Sequence, residues 1–432
     1  VCFSVSGKIN PDHAEMRHAR KSITENAMTA AETTAPLSDP AILDMDPYTE
    51  ENILNPRAFQ EALRETGPIV WLKPYDMYAV GRYEEVRTVL SDYRRFTTTG
   101  GIGMSDIRKP GAWRSPSPIT EIDPPKHTAV RGALMKVISP IVIRKWRESF
   151  LAEAEIVADR VVEMGEIDGV KDVAEAYVLK VFPDALGVDI PREHFLDIGE
   201  MNFNQQGPQN EIYRKSMAKV EPILPLYQHA FQREAAIPGG FAEKIFQAED
   251  AGDFAKDTAP LQVRSFLRAG VDTTIGGIGH TLNFLAQNPD QFAQILADPT
   301  KVRGAFEEAI RLESPAANLF RTTAMDTELS GVRLKGDVKV AMFFGAGNRD
   351  PRKWPDAAKF DLNREVAGVH VAFGAGDHVC IGQMIARLEA ECILGAIARR
   401  VKAIEPAGPY SYKAVNTLRT LRHLPLRLVR KS

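Results

Sequence analysis

The 432-residue chain predicts a mainly α fold with small β-sheets, built as a single large domain. Three observations lead there: helical periodicity dominates residues 126–320, strand-like runs are short and flank that region, and no internal repeat or composition break marks a boundary. The length would suit about three typical domains, but single folds of this size are common. A net charge of −3, with 54 Lys+Arg against 57 Asp+Glu, provides no global field for nucleic acid. No window approaches the ~18 uninterrupted apolar residues of a membrane helix, so neither nucleic acid nor membrane is an expected partner.

Residues 1–35 lack sustained periodicity and read as a flexible N-terminal arm, with Met28 a candidate start and VCFSVSG too short for a secretory signal. The domain proper is expected over 36–432. From Pro47 to Arg95 helix and strand alternate: AFQEALRETG and YEEVRTVLSD have helical spacing, while IVWL and MYAVG read as strands around Lys73–Pro74–Tyr75–Asp76. A Gly-, Ser- and Pro-rich stretch from Thr97 to Pro125 follows, and a loop that long is usually functional or mobile. Helices broken by prolines run to residue 320. TELSGVRLKGDVKVAMFFG then predicts a small antiparallel unit, and a last helix is expected from Gln383 to about Val401.

FGAGDHVCIG, Phe373 to Gly382, is the most informative segment. Gly374 and Gly376 open backbone angles closed to other residues, and Gly382 removes a side chain where a flat partner would approach. The loop brings N–H groups around one sulfur at a helix N-terminus, which is expected to favour thiolate over thiol. Three cysteines, Cys2, Cys380 and Cys392, exclude a disulfide framework and a CxxC zinc site, and make a reducing cytoplasm the default location. Cys380 alone has three readings: a small buried hydrophobe, a nucleophile with His378 as base, or a thiolate ligand to haem iron. Cys392 falls on the apolar stripe of Ile385, Leu388 and Ala396, with Arg387, Glu389 and Glu391 elsewhere on the helix.

On these residues the sequence resembles the cytochrome P-450 family of haem-thiolate monooxygenases. F-G-x-G-x-H-x-C-x-G is matched at Phe373, Gly374, Gly376, His378, Cys380 and Gly382. AGVDTT at Ala269–Thr274 is similar to the oxygen-activating part of the central helix, and EEAIR carries Glu-x-x-Arg at Glu308 and Arg311, with Arg364 as third partner. The resemblance implies the P-450 fold over residues ~40–430, a haem b with Cys380 as axial iron ligand, and propionate contacts from His127, Arg131, Arg321, His370 and His378. It also implies that Ala269 and Gly270 leave room for dioxygen, that Thr273 hydrogen-bonds it, and that Asp272 relays protons. Asp272 and Thr273 are poor choices for a helix interior, and such local inconsistency is expected at functional positions. Glu308 and Arg311, three residues apart, would be a weak surface pair in isolation; the resemblance implies a buried one that holds the cysteine loop.

Within the family the chain is similar to bacterial enzymes that oxidatively demethylate para-methoxybenzoate and related aromatic acids. LQVRSFLRAGVDTT and the run from GIGMSD to SPITEIDPPKHT carry that likeness. It implies that Ser105, Arg264 and Ser265 fix the substrate carboxylate and that Phe203 forms a wall. Gly100 stands where an arginine is expected, Arg268 replaces a serine, and Gln206 and Leu319 replace aromatic residues, which suggests a roomier, more polar wall. Arg264, Arg268 and Asp272, at i, i+4 and i+8, would share one stripe of a continuous helix, with Arg268 ~6 Å along the axis from Asp272. Arg268 would then either anchor a carboxylate or pair with Asp272.

No Rossmann unit, flavin region or iron–sulfur cysteine set is present, so a ferredoxin and its reductase are the implied electron donors, with Arg387, Arg399 and Arg400 as docking candidates. The expected protein is a monomer acting on a small aromatic acid and dioxygen. Competing readings are a haem monooxygenase acting on a phenolic methoxyarene or terpenoid, a non-catalytic haem protein, a peroxide-driven haem enzyme, and a cysteine hydrolase.

Overall fold

Six strands form one mixed sheet in the spatial order Ala41–Leu43, Val70–Leu72, Met77–Val80, Lys339–Phe343, Asn318–Thr323 and Phe96–Thr97. The computed structural model describes residues 37–431; the readings of the arm, Cys2 and Met28 lie outside them. IVWL and MYAVG pair antiparallel as expected, Trp71 opposite Tyr78. Their apolar residues face the helices Arg57–Thr66 and Tyr83–Ser91, which also occupy their expected places. The predicted antiparallel unit divides: Thr327–Leu329 and Val332–Leu334 form the hairpin, and Lys339–Phe343 joins the large sheet beside Asn318–Thr323.

Helices make up the rest. The segment Asp272–Gln287 is buried along almost its whole length and packs on Val302–Glu313, on the cysteine helix Gln383–Arg400 and on the turn Gly169–Glu175. The cysteine helix lies against Pro140–Met164. Its predicted stripe of Ile385, Leu388, Cys392 and Ala396 is buried, but so are Glu389, Ile393, Leu394 and Ile397. Past its first two turns the helix is enclosed on nearly all sides, so the expected polar face is not a solvated one. Arg387 binds Glu307 and lies over the Phe373 ring at 4.7 Å. Arg399 and Arg400 bind Glu155 and Asp159 on the Pro140–Met164 helix. All three proposed docking cations are therefore engaged within the chain.

The central helix is not continuous. It runs Ala259–Ala269, breaks at Gly270–Val271, and restarts at Asp272. The carbonyls left without backbone donors at the break are capped by side chains: the Thr273 hydroxyl donates to Ala269 O at 2.8 Å and the Thr274 hydroxyl to Gly270 O at 3.1 Å. Asp272 is thus the first residue of a helix, where an acidic side chain suits the dipole, and not the misfit of a helix interior. The break also removes the continuous stripe expected of Arg264, Arg268 and Asp272. Among the described residues no helix is long and apolar enough to cross a membrane.

Candidate active site

The cysteine loop, the break in the central helix and the long Thr97–Pro125 loop enclose one cavity of about 300 Å³. Gly374 and Gly376 take φ of +75° and +68°, as their spacing implied, and a Cβ on Gly376 would stand 2.6 Å from Ser91 Cα. These turns carry the chain back so that Cys380 N–H donates to Phe373 O at 2.7 Å and the sulfur faces the cavity. A Cβ on Gly382 would meet only Cys380 Sγ, at 3.9 Å, which leaves open space beside the sulfur. The N–H groups of Gly382 and Gln383 and the charges of Arg131 and Arg387 favour the thiolate, but burial outweighs them and pushes the Cys380 thiol up. The loop alone does not favour thiolate, contrary to expectation; a cation bound at sulfur would supply the missing term.

Around this end of the cavity stand four cationic or imidazole groups with few protein partners. His127 and Arg131 share one face of the helix Lys126–Val137, as their spacing requires. The His127 and His378 rings lie 4.0 Å apart, and the Nε2 of each is buried without a hydrogen-bond partner. Arg321 is buried and donates only to Phe320 O, and burial lowers it to about 10. His378 is pushed down to about 2 by burial and by the positive groups around it. Unpaired buried donors at this density call for an anion.

His370, expected among them, does not reach the cavity. Its Nε2 bonds Glu307 Oε2 at 2.8 Å, in a cluster that also takes Arg387. Glu308, Arg311 and Arg364 come together as implied: Arg311 forks onto both Glu308 oxygens at 2.7 and 2.8 Å, and Arg364 Nε reaches Oε1 at 3.1 Å. Arg311 also donates to Asn348 O and Ala357 O, tying the helix to the segment that leads into the cysteine loop.

At the helix break, Ala269, Gly270 and Thr273 line the cavity. Gly270 does not leave open space, since a Cβ there would fall 2.1 Å from Phe182 Cζ; the glycine admits that ring. Asp272 does not line the cavity. Its carboxylate lies against Gly199 of the helix Arg192–Asn204, near Lys413, Glu200 and Glu175, and burial pushes it up to about 7. It makes no ion pair with Arg268.

Of the predicted substrate residues, Phe203, Gln206, Ser265, Arg268 and Leu319 line the cavity. Ser105 is buried elsewhere, and Arg264 turns aside to donate to Pro116 O at 2.5 Å. Sequence reasoning missed Arg114, Ser117 and Glu389, all in the lining. Arg114 is a lone cation inside GAWRSPSP whose partner, Glu121, is seven residues on across a Pro-containing loop that has no period to predict the pair. Glu389 lies on the cysteine helix, fully buried with both oxygens unpartnered, and burial holds its carboxyl far above the usual range.

The chain is 43% identical over 410 residues to Cytochrome p450 CYP199A2 of Rhodopseudomonas palustris, covering 93% of this chain and 99% of that protein. The chain belongs to the cytochrome P450 family. The family model described as Cytochrome P450 matches residues 234–406. Linalool 8-monooxygenase of Pseudomonas putida is 28% identical over 91% of this P450 and 99% of its own length. Among solved structures, Cytochrome P450 CYP109Q5 from Chondromyces apiculatus superposes with a TM-score of 0.74 at 28% identity, over 90% of this chain and 99% of that one. The protein is a haem-dependent monooxygenase, and haem b is its cofactor. The cavity fits that group: a sulfur faces it, and the unpartnered nitrogens of His127 and His378 with Arg131 and Arg321 match two propionates.

Proposed function

We propose that this P450 oxidises a small aromatic acid, most simply by demethylating a para-methoxybenzoate, with Cys380 as the residue whose sulfur would hold its haem. The observation that carries the reading is a second polar end of the cavity, where Arg114, Arg268 and the hydroxyls of Ser117 and Ser265, 3.0 Å apart, interrupt walls of Phe182, Phe203 and Leu319. An apolar slot with a cationic end takes an aromatic ring bearing an anion. The relationship to Cytochrome p450 CYP199A2 supports the same class.

In this reading the haem, held through Cys380, supplies the activation of dioxygen that no side chain can. One oxygen atom enters a methyl C–H bond; the resulting hemiacetal breaks its C–O bond to release formaldehyde and the phenol. The other atom leaves as water, with two protons and two electrons. Thr273 positions a hydroxyl at the cavity wall, where it is held by Ala269 O. Asp272, on the outer side of the break, takes protons from the Glu175–Lys413 side and passes them inward. A carboxyl that titrates near neutrality can both give and accept them. Arg131, Arg321, His127 and His378 would hold the propionates. The electrons come from a ferredoxin and its reductase, and the enzyme works as a cytoplasmic monomer. Spin-state titration with para-substituted benzoates, followed by a formaldehyde assay with ferredoxin and reductase, tests the reading; no shift with any aromatic acid would refute it.

A further inference from the structure

We propose that the Arg114–Arg268 end of the cavity takes a dianionic head group on the aromatic substrate, a benzene dicarboxylate or an aryl phosphate monoester. This rests on the aromatic-acid reading and narrows it from a singly to a doubly charged ligand.

Arg114 is fixed and buried, its side chain 1% exposed. It lies in a cradle of glycine backbone: a Cβ on Gly103 would come within 3.1 Å of its Cδ, and one on Gly101 within 3.1 Å of Nη1. Glu121 holds Nη1, but the same carboxylate also accepts from Ile102 N at 3.1 Å and Ser117 N at 2.6 Å. Its charge is therefore shared among three donors, and Arg114 Nε is left buried without a partner. Arg268 lines the cavity with no ion pair and no side-chain hydrogen bond among the described residues. One turn back, Arg264 has Nη2 on a carbonyl and its Nε also buried and unpaired.

Three guanidiniums thus gather at this end against one carboxylate; burial first, and the neighbouring guanidiniums after it, lower Arg114 and Arg264 below the usual arginine range. Lys339, behind the loop on the carbonyls of Gly100 and Gly101, is pushed down to about 7 by burial and so adds little charge at pH 8. Positive charge in excess, half-buried at Arg264 and Arg268 beside the buried Arg114, is costly unless an anion compensates it. A single carboxylate would offset only one of the two remaining charges; a dianion offsets both. The propionates do not fill this role, because the groups that suit them surround Cys380. Gln206 Oε1, a buried acceptor without a donor in the same lining, offers a place for a hydroxyl on the ring or head.

The test is a spin-state titration of the ferric holoenzyme at pH 8, above the second phosphate pKa of about 6, with 4-methoxybenzamide, 4-methoxybenzoate, 4-methoxyphthalate and 4-methoxyphenyl phosphate. The expected result is that at least one dianion binds ten or more times tighter than 4-methoxybenzoate, the tighter of the two naming the head group, and that Arg268→Gln cuts this ratio below about threefold. Dianions that bind no tighter than the benzoate, or a ratio unchanged in Arg268→Gln, would overturn the inference. The comparison within the unmodified holoenzyme stands even if the variant folds poorly. Benzoate still binding better than benzamide would leave the aromatic-acid reading intact; equal binding of those two would refute that reading as well.

Discussion

Asp272 begins a helix, touches the backbone of Gly199, and titrates near 7 because it is buried. Its unfolded counterpart titrates near 3.8. Between those values the unfolded chain gives up the proton while the folded one keeps it, so the carboxyl costs increasing stability as pH rises from about 4 to about 7, and a constant amount above. Asp272→Asn should therefore raise unfolding stability at pH 8, by roughly 2–4 kcal/mol at 1.36 kcal/mol per pKa unit, and change it little at pH 4; urea titrations at both values check this. The same variant should lose at least about tenfold in turnover, as expected when a proton relay is removed, while the substrate-induced spectral shift persists. At this scale the sequence is read well where a residue's type is dictated by local geometry, as at Gly374 and Gly376. It is read badly where a side chain's direction decides. His370 belongs to the right loop but turns to Glu307, and Arg264 turns to a carbonyl, outcomes set by packing that no spacing records.

Two contacts between elements can be tested directly. Glu308 receives Arg311 and Arg364 with no exposure of its own, and Arg311 carries the tie onward to the 348–359 segment. Glu308→Ala leaves the buried Arg311 and the partly buried Arg364 uncompensated and should cost about 3–5 kcal/mol, seen as a lowered urea midpoint and as haem lost during purification. Gly270 meets the Phe182 ring at the helix break, so Gly270→Ala should destabilise by about 1–3 kcal/mol through overpacking, and Gly270→Ala with Phe182→Leu should recover most of that loss. Most elements were legible because their period or their glycines announce them: the two early strands, their flanking helices and the Gln383–Arg400 helix fall where expected. The break at Gly270–Val271 was not, because its remedy, threonine hydroxyls on freed carbonyls, looks in sequence only like poor helix composition. Glu389 escaped for the converse reason: a helix enclosed on most sides has no face that periodicity can assign to solvent.

Across the molecule, one cavity has two cationic ends, set apart by what supplies them. The end at Cys380 comes from the cysteine loop and the Lys126–Val137 helix, and its residues are those of a family pattern read in advance. The other end comes from a loop without repeating structure, where Arg114 and Glu121 find each other only through the folded path of the chain. The gathering of residues around Cys380 was thus largely legible in the sequence, and that at the Arg114–Arg268 end only in part. Electrons in the proposed reaction come from a ferredoxin, so turnover with NADH or NADPH should require added ferredoxin and reductase. The most direct test of the whole account is the ferric spin-state titration of the holoenzyme with 4-methoxybenzoate, with formaldehyde measured under ferredoxin-supported turnover. A saturable high-spin shift is expected, at least about tenfold weaker for the neutral amide, with the loss of a charge-assisted contact as its cause, and formaldehyde formed along with the 4-hydroxy acid. No shift with any aromatic acid, or equal affinity for acid and amide, would contradict it.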